Sequence, residues 1–138
     1  MFSSSKVTTL NLSSFDTSKV TNMSNMFSSS VATEIKGLEK FNTSKVTDMN
    51  GMFSSSKVTT LNLSSFDTSK VTDMSNMFYG SKATTLDLSS FDTSNVTNMI
   101  QMFWNSKITT GYARTQEDAD RFNASSHKPS TLTFVVKS

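Results

Sequence analysis

The sequence predicts a right-handed repeat solenoid, in which short coils stack along one axis. A Met-Phe pair recurs every 25 or 26 residues, beginning at residues 1, 26, 52, 77 and 102. All nine methionines and nine of the eleven phenylalanines keep this spacing. A period of roughly 20 to 50 residues is typical of stacked repeats, which bury their apolar residues against copies in the neighbouring coil. Crossovers between parallel strands are right-handed in nearly all cases.

One short parallel β-strand is predicted in each coil. Residues 60–64 alternate polar and apolar side chains, as a half-buried strand does, and residues 9–13 and 85–89 are their copies. The second repeat carries one extra residue within 31–40, which predicts a bulge at Gly37.

One short helix is also predicted in each coil. In residues 71–78 the apolar side chains have helical spacing, Thr72 suits an N-cap, and Asp73 suits the first turn. Residues 1–27 and 52–78 match at 26 of 27 positions, which indicates duplication of a two-coil unit.

The end of the chain departs from the repeat. We therefore predict two parts: about four repeats in residues 1–110, starting mid-repeat, and a strand-helix-strand α/β cap in residues 111–138. Thr115 suits a helix N-cap, and Ala119 and Phe122 give the following helix an apolar face. Atypical ends cover the last apolar layer of stacked repeats.

Composition limits the function. The 138 residues suit one domain, and 13 Lys and Arg against 11 Asp and Glu give a net charge of +2 without a basic cluster. We therefore expect no nucleic acid as partner. The apolar runs are far shorter than the roughly 20 residues of a membrane helix, so no membrane insertion is expected in this segment. The absence of cysteine excludes disulfides and thiol catalysis.

The repeat also carries a recognisable motif. Phe-Asp-Thr-Ser-(Lys/Asn)-Val-Thr-(Asn/Asp)-Met-(Ser/Ile)-(Asn/Gln)-Met-Phe resembles the 25- to 26-residue repeat of bacterial surface proteins, often called BspA-like. The resemblance covers residues 1–110, and the tail is similar to the closing segment of such arrays. It implies a leucine-rich-repeat-like solenoid, secreted or displayed on a cell surface, with a role in adhesion or host contact. The export signal and anchor are then expected outside this fragment.

The sequence contains no recognisable catalytic or ligand-binding motif. The sequence has no Gly-rich phosphate loop, metal-spaced cluster or nucleophile elbow, and its one histidine, His127, is expected in a solvated loop. We therefore predict no catalytic residue, no metal ligand and no cofactor, and a protein that is not an enzyme. Asp16, Asp67 and Asp92 recur once per repeat, and Asn42 takes their place in the second. Stacked acids can bind calcium, but Asn42 favours an Asx turn at each position.

Two breaks in the repeat are candidate partner contacts. Glu34, Lys36 and Glu39 are the one charged group on the predicted sheet side, while Tyr79 and Trp104 replace serines that follow Met-Phe. Exposed aromatic side chains often anchor partners. Drift in a tolerant repeat is the plainer explanation of the charged group, and packing beneath the cap is an alternative for Trp104.

The predicted function is a non-enzymatic surface module that adheres to a host or extracellular protein or glycan. A passive stalk is the alternative, and ice binding by the Thr, Asn and Ser rows is a weaker one because the second repeat interrupts those rows. Since residues 1–27 begin mid-coil, Phe2, Leu10, Leu12 and Phe15 are expected to be uncovered. We therefore expect weak self-association through this end.

Overall fold

The computed structural model describes residues 2–137. Its elements in chain order are β1 (Thr9–Asn11), β2 (Glu34–Lys36), a 3-10 helix (Leu38–Lys40), β3 (Thr85–Leu88), β4 (Thr110–Ala113), α1 (Gln116–Asn123) and β5 (Thr133–Val136). All strand pairs are parallel: β1 pairs with β2, and β4 lies between β3 and β5.

The predicted solenoid, with one strand and one helix in every right-handed coil, is wrong. Residues 2–137 instead form two small parallel sheets, and α1 is their one α-helix. Residues 60–64, predicted as a strand, lie outside both sheets. Residues 71–78, predicted as a helix, contain an isolated bridge at Asp73 followed by turns.

Backbone hydrogen bonds explain why residues 71–78 are not helical. Alternate amides donate to the next repeat at 2.8–3.0 Å: Met74 to Asn98, Asn76 to Ile100, Phe78 to Met102 and Gly80 to Trp104. Of the intervening amides, those of Met77 and Tyr79 donate to carbonyls three residues earlier, and that of Ser75 donates to the Asp73 carboxylate. An α-helix needs each amide to reach the carbonyl four residues earlier. Bonds to the neighbouring repeat therefore take the place of bonds along a helix.

Gly37 marks the point where the first sheet ends. It has φ +97° and follows β2 directly, and the 3-10 helix begins at the next residue. A Cβ on Gly37 would lie 2.5 Å from the Ser13 amide nitrogen. The extra residue of the second repeat is thus accommodated by a tight left-handed turn, and Ile35 and Leu38 on either side of it are both buried.

Phenylalanines form two ladders through the core. The first contains Phe27, Phe53, Phe78 and Phe103, with ring centroids 5.3–6.0 Å apart and nearly parallel planes. The second contains Phe41, Phe66 and Phe91, with centroids 6.1–6.3 Å apart. All seven rings are buried. Each contributes roughly 1.5–3 kcal/mol by burial, so equivalent residues of successive repeats stabilise one another.

The segment 111–137 continues directly from the repeats. Its α1 packs Phe122 edge-on against Phe103, with centroids 6.0 Å apart, and Phe134 of β5 fills the space beside both. Gly111 stands where repeats one, three and four have leucine, and a Cβ there would lie 2.5 Å from the Phe134 ring. Since β4 pairs with β3, the two parts share one sheet, and the division into repeats and cap stays a prediction.

Candidate interaction surface

Tyr79 and Trp104 lie together on adjacent repeats. Each directly follows a buried phenylalanine of the first ladder, and the amide of Gly80 donates to the carbonyl of Trp104 at 2.8 Å. The Tyr79 and Trp104 rings meet edge to face, with centroids 5.6 Å apart and planes at 85°. Trp104 remains 40% exposed, whereas Tyr79 is half-buried. The predicted pair is therefore a real contact with one ring open to solvent.

His127 is a third member of this group, which we call the aromatic cluster (Tyr79, Trp104 and His127). Its ring centroid lies 4.7 Å from that of Trp104, and the planes are tilted by 55°. The loop that carries it is tied to the last repeat by two hydrogen bonds. The Ser126 hydroxyl accepts from the Gln101 amide at 3.0 Å, and the Ser125 hydroxyl donates to the Met99 carbonyl at 2.6 Å.

Ile100 of the last repeat differs from the residues at the same position of the other repeats. Ile100 is 58% exposed, where the other repeats have Ser24, Asn50 and Ser75. It lines a pocket of about 250 Å³ between the last repeat and the end of α1, together with Met99, Arg121, Ala124, Ser125 and Ser126. The last repeat thus exposes two large apolar side chains, Ile100 and Trp104, where earlier repeats carry mostly small polar ones.

The charged candidates lie on a different part of the molecule. Glu34 and Lys36 project outward from β2 on either side of buried Ile35, and Glu39 is exposed on the 3-10 helix. In residues 2–137 none of the three forms a salt bridge within 4.0 Å, and no hydrogen bond joins them to the aromatic cluster. The structure brings Tyr79 and Trp104 together but does not add the charged group to them.

Asp118 anchors helix α1, which directly precedes the His127 loop. Its side chain is fully buried at the start of α1. It accepts hydrogen bonds from the Thr93 amide at 3.0 Å, the Arg114 Nε at 2.9 Å and the Thr115 hydroxyl at 2.7 Å. Burial, the largest effect, raises the pKa of Asp118, but these hydrogen bonds outweigh it and lower the pKa to about 2. An ionised, fully bonded carboxylate therefore joins α1 to the last repeat.

Sequence reasoning missed this contact, although a signal for it existed. Asp118 lies 25 residues after Thr93, and Ser126 lies 25 residues after Gln101. In earlier repeats Thr43 and Thr68 donate their hydroxyls to backbone carbonyls of the next repeat at 2.8–2.9 Å. Asp118 supplies the acceptor for Thr93 with its side chain instead. Extending the 25-residue spacing beyond residue 110 would have pointed to both Asp118 and the His127 loop.

The side chains that recur at the positions considered for calcium binding stabilise backbone turns. Asp16, Asn42, Asp67 and Asp92 each accept the amide of the serine two residues later, at 2.9–3.1 Å. Hydrogen bonds from those serines lower the pKa of the three aspartates. Within residues 2–137, no three His, Asp or Glu side chains come close enough together to hold a metal ion.

Comparison with known protein families identifies the family of the chain. The model of the family described as "Mycoplasma protein of unknown function, DUF285" matches residues 1–128. The chain belongs to this family. No curated protein and no solved structure shows a significant match to it. In the described part of this DUF285 chain, no helix has both the length and the apolar character needed to cross a bilayer.

Proposed function

We propose that this DUF285 chain is a non-enzymatic adhesion module, displayed on a cell surface or secreted, that binds a host or extracellular protein or glycan. The observation that carries the proposal is the aromatic cluster, in which Trp104 is 40% exposed although two neighbouring rings contact it. A large aromatic side chain that is both exposed and held in place loses little conformational entropy on binding. Such residues dominate the energetics of many interfaces.

The surface location rests on the repeat motif. Its resemblance to BspA-like surface repeats supports display outside the cell. Glu34, Lys36 and Glu39 are proposed as a secondary contact, because they are exposed and free of salt bridges within the described chain.

A passive stalk is the second candidate. It is favoured by the uniform joining of the repeats, since four alternate amides of one repeat donate to the next in each of three successive pairs. A stalk needs regular spacing but no particular surface residue, so the two candidates differ in their tolerance of surface substitutions.

Binding to an immobilised panel of extracellular-matrix proteins and glycans tests the proposal. Three variants are compared with the parent chain. The double variant carries Tyr79→Ser and Trp104→Ser, and the triple variant carries Glu34→Ser, Lys36→Ser and Glu39→Ser. The third variant carries all five substitutions. Val7→Ser is the matched control, because Val7 is also an exposed apolar residue but lies in the first repeat. Circular dichroism verifies that every variant folds.

We expect the aromatic double variant to lose about tenfold or more in affinity, and the control to bind like the parent. The five-residue variant should bind more weakly still. Failure of the parent chain to bind any member of the panel would favour the stalk. Unchanged binding by the five-residue variant would remove these residues from the interface.

A further inference from the structure

We propose that the aromatic cluster is a carbohydrate site, at which a neutral pyranose ring stacks on the exposed indole of Trp104. This inference rests on the proposed adhesion function and names its ligand class. The indole is contacted by Tyr79 at 85° and by His127 at 55°. Both contacts restrict its rotation while leaving 40% of the residue open. A flat, pre-oriented ring is what the apolar C–H face of a sugar requires.

The surroundings of Trp104 supply the hydrogen-bonding groups that a sugar rim needs. Asn105, Ser126 and His127 are exposed beside it, and Ser55 is exposed one repeat beyond Tyr79, where its amide donates to the Tyr79 carbonyl. These amide, hydroxyl and imidazole groups can each donate or accept a hydrogen bond. Polar groups around an aromatic platform fix the orientation of a bound ligand.

Charge favours a neutral sugar over an acidic one. Residues 76–81 and 99–106, which bear Tyr79 and Trp104, contain no Asp, Glu, Lys or Arg. Arg121 lines the adjacent pocket, but it donates to the Thr93 hydroxyl at 2.9 Å and lies 3.7 Å from the Asp118 carboxylate. The two segments therefore supply no cation for the carboxylate or sulfate of a ligand, and the lysines nearest to them in the sequence are Lys82 and Lys107, directly after their ends.

The chain provides its own probe, because Trp104 is its one tryptophan. Titration with cellotriose, maltotriose, lactose and the trimer of N-acetylglucosamine is followed by tryptophan fluorescence. We expect at least one sugar to produce a saturable shift of the emission, with a Kd of about 0.1–10 mM. A sialylated form of the same sugar should bind no more tightly.

Variants assign the site. Isothermal titration calorimetry should show loss of binding for Trp104→Ser, and a roughly threefold or greater loss for Tyr79→Ser and His127→Ala. Ile100→Ser is the matched control, because it removes the other exposed apolar side chain of the same repeat and should leave sugar affinity unchanged. Equal loss of sugar binding for Ile100→Ser and Trp104→Ser would contradict a stacking site.

Absence of a response to every neutral sugar up to about 20 mM would overturn the proposal. If the Tyr79 and Trp104 variant nevertheless loses affinity for a protein on the panel, the cluster is a protein contact and the adhesion proposal stands without the sugar. If neither sugars nor panel proteins bind, both proposals fail together.

Discussion

Gly37 lies at a position that a residue with a side chain fits poorly. Its φ of +97° lies where side-chain-bearing residues are rarely found, and the ideal Cβ position is 2.5 Å from the Ser13 nitrogen and 2.7 Å from the Leu12 carbonyl carbon. Both neighbouring atoms belong to the backbone and cannot move as a side-chain end could. Gly80 is a useful contrast, since its φ is +64° and its nearest neighbour is the Ser55 hydroxyl at 3.4 Å.

We predict that Gly37→Ala lowers the free energy of unfolding by at least ~2 kcal/mol, because backbone strain and a clash with backbone atoms act together. Gly80→Ala should cost only about 1 kcal/mol, the strain of a left-handed residue with ordinary contacts. Urea unfolding followed by circular dichroism measures both. Equal losses in the two variants would show that the contact with Ser13 is relieved at little cost.

The members of the aromatic cluster differ in how visible they are in the sequence. Tyr79 and Trp104 stand out because they interrupt a row of serines, and a 25-residue offset places them on neighbouring repeats. His127 lies outside the repeat, and its approach to Trp104 depends on the path of the chain after α1. That path is set by hydrogen bonds of Ser125 and Ser126, which composition and local pattern do not reveal.

At the scale of elements, α1 depends on the ionised form of Asp118. The pKa of this carboxyl is lowered from an ordinary 3.8 to about 2. A lowered pKa stabilises the folded chain at pH values above the ordinary pKa, and that stabilisation is lost as the pH falls from about 4 to about 2.

We predict that Asp118→Asn destabilises the chain at pH 6, and that the difference from the parent shrinks by about 2 kcal/mol on acidification to about pH 2. The measurement is the free energy of unfolding of both chains across that range. Asp120→Asn is the matched control, because Asp120 is exposed on the same helix. If parent and Asp118→Asn lose stability in parallel as the pH falls, the carboxylate does not anchor α1.

The two helix predictions had different outcomes for a physical reason. α1 forms after Thr115, whose hydroxyl accepts the Asp118 amide, so capping chemistry and apolar spacing agreed. Residues 71–78 have equally good helical spacing, with buried Val71, Met74, Met77 and Phe78. Their amides instead bond to the next repeat, and apolar spacing carries no information about that competition. The repeat period and its core residues were predictable, whereas the backbone conformation between them was not.

The molecule as a whole exposes a second apolar region, in its first repeat. Phe15 is 43% exposed and lines a pocket of about 190 Å³ with Val20, Met23 and Met26. Leu10 and Leu12, which we expected to be uncovered with it, are buried, and Phe2 is half-buried against Phe27 and Phe15. The candidate surface for self-association is therefore smaller than the sequence suggested and centres on Phe15.

We predict weak, concentration-dependent dimers that Phe15→Ser removes. Burial of a partly exposed ring contributes only a few kcal/mol, roughly the size of the cost of association. Sedimentation velocity over a hundredfold range of concentration, about 2 to 200 μM, measures the effect. Ile100→Ser serves as the control for an exposed apolar residue elsewhere. A chain that stays monomeric throughout, or dimers that persist in Phe15→Ser, would contradict the prediction.

The alternate amides that join successive repeats donate in one direction along the chain. Over residues 23–29, 49–55 and 74–80, alternate amides donate to the next repeat and alternate carbonyls accept from the previous one, whereas the amides of Thr47, Thr72 and Thr97 donate to the previous repeat. Two like sides brought together would place donors against donors in these three segments, which favours joining of the repeats head to tail. Genetic changes that add or remove a whole repeat head to tail leave every remaining junction chemically matched. Insertions of part of a repeat do not.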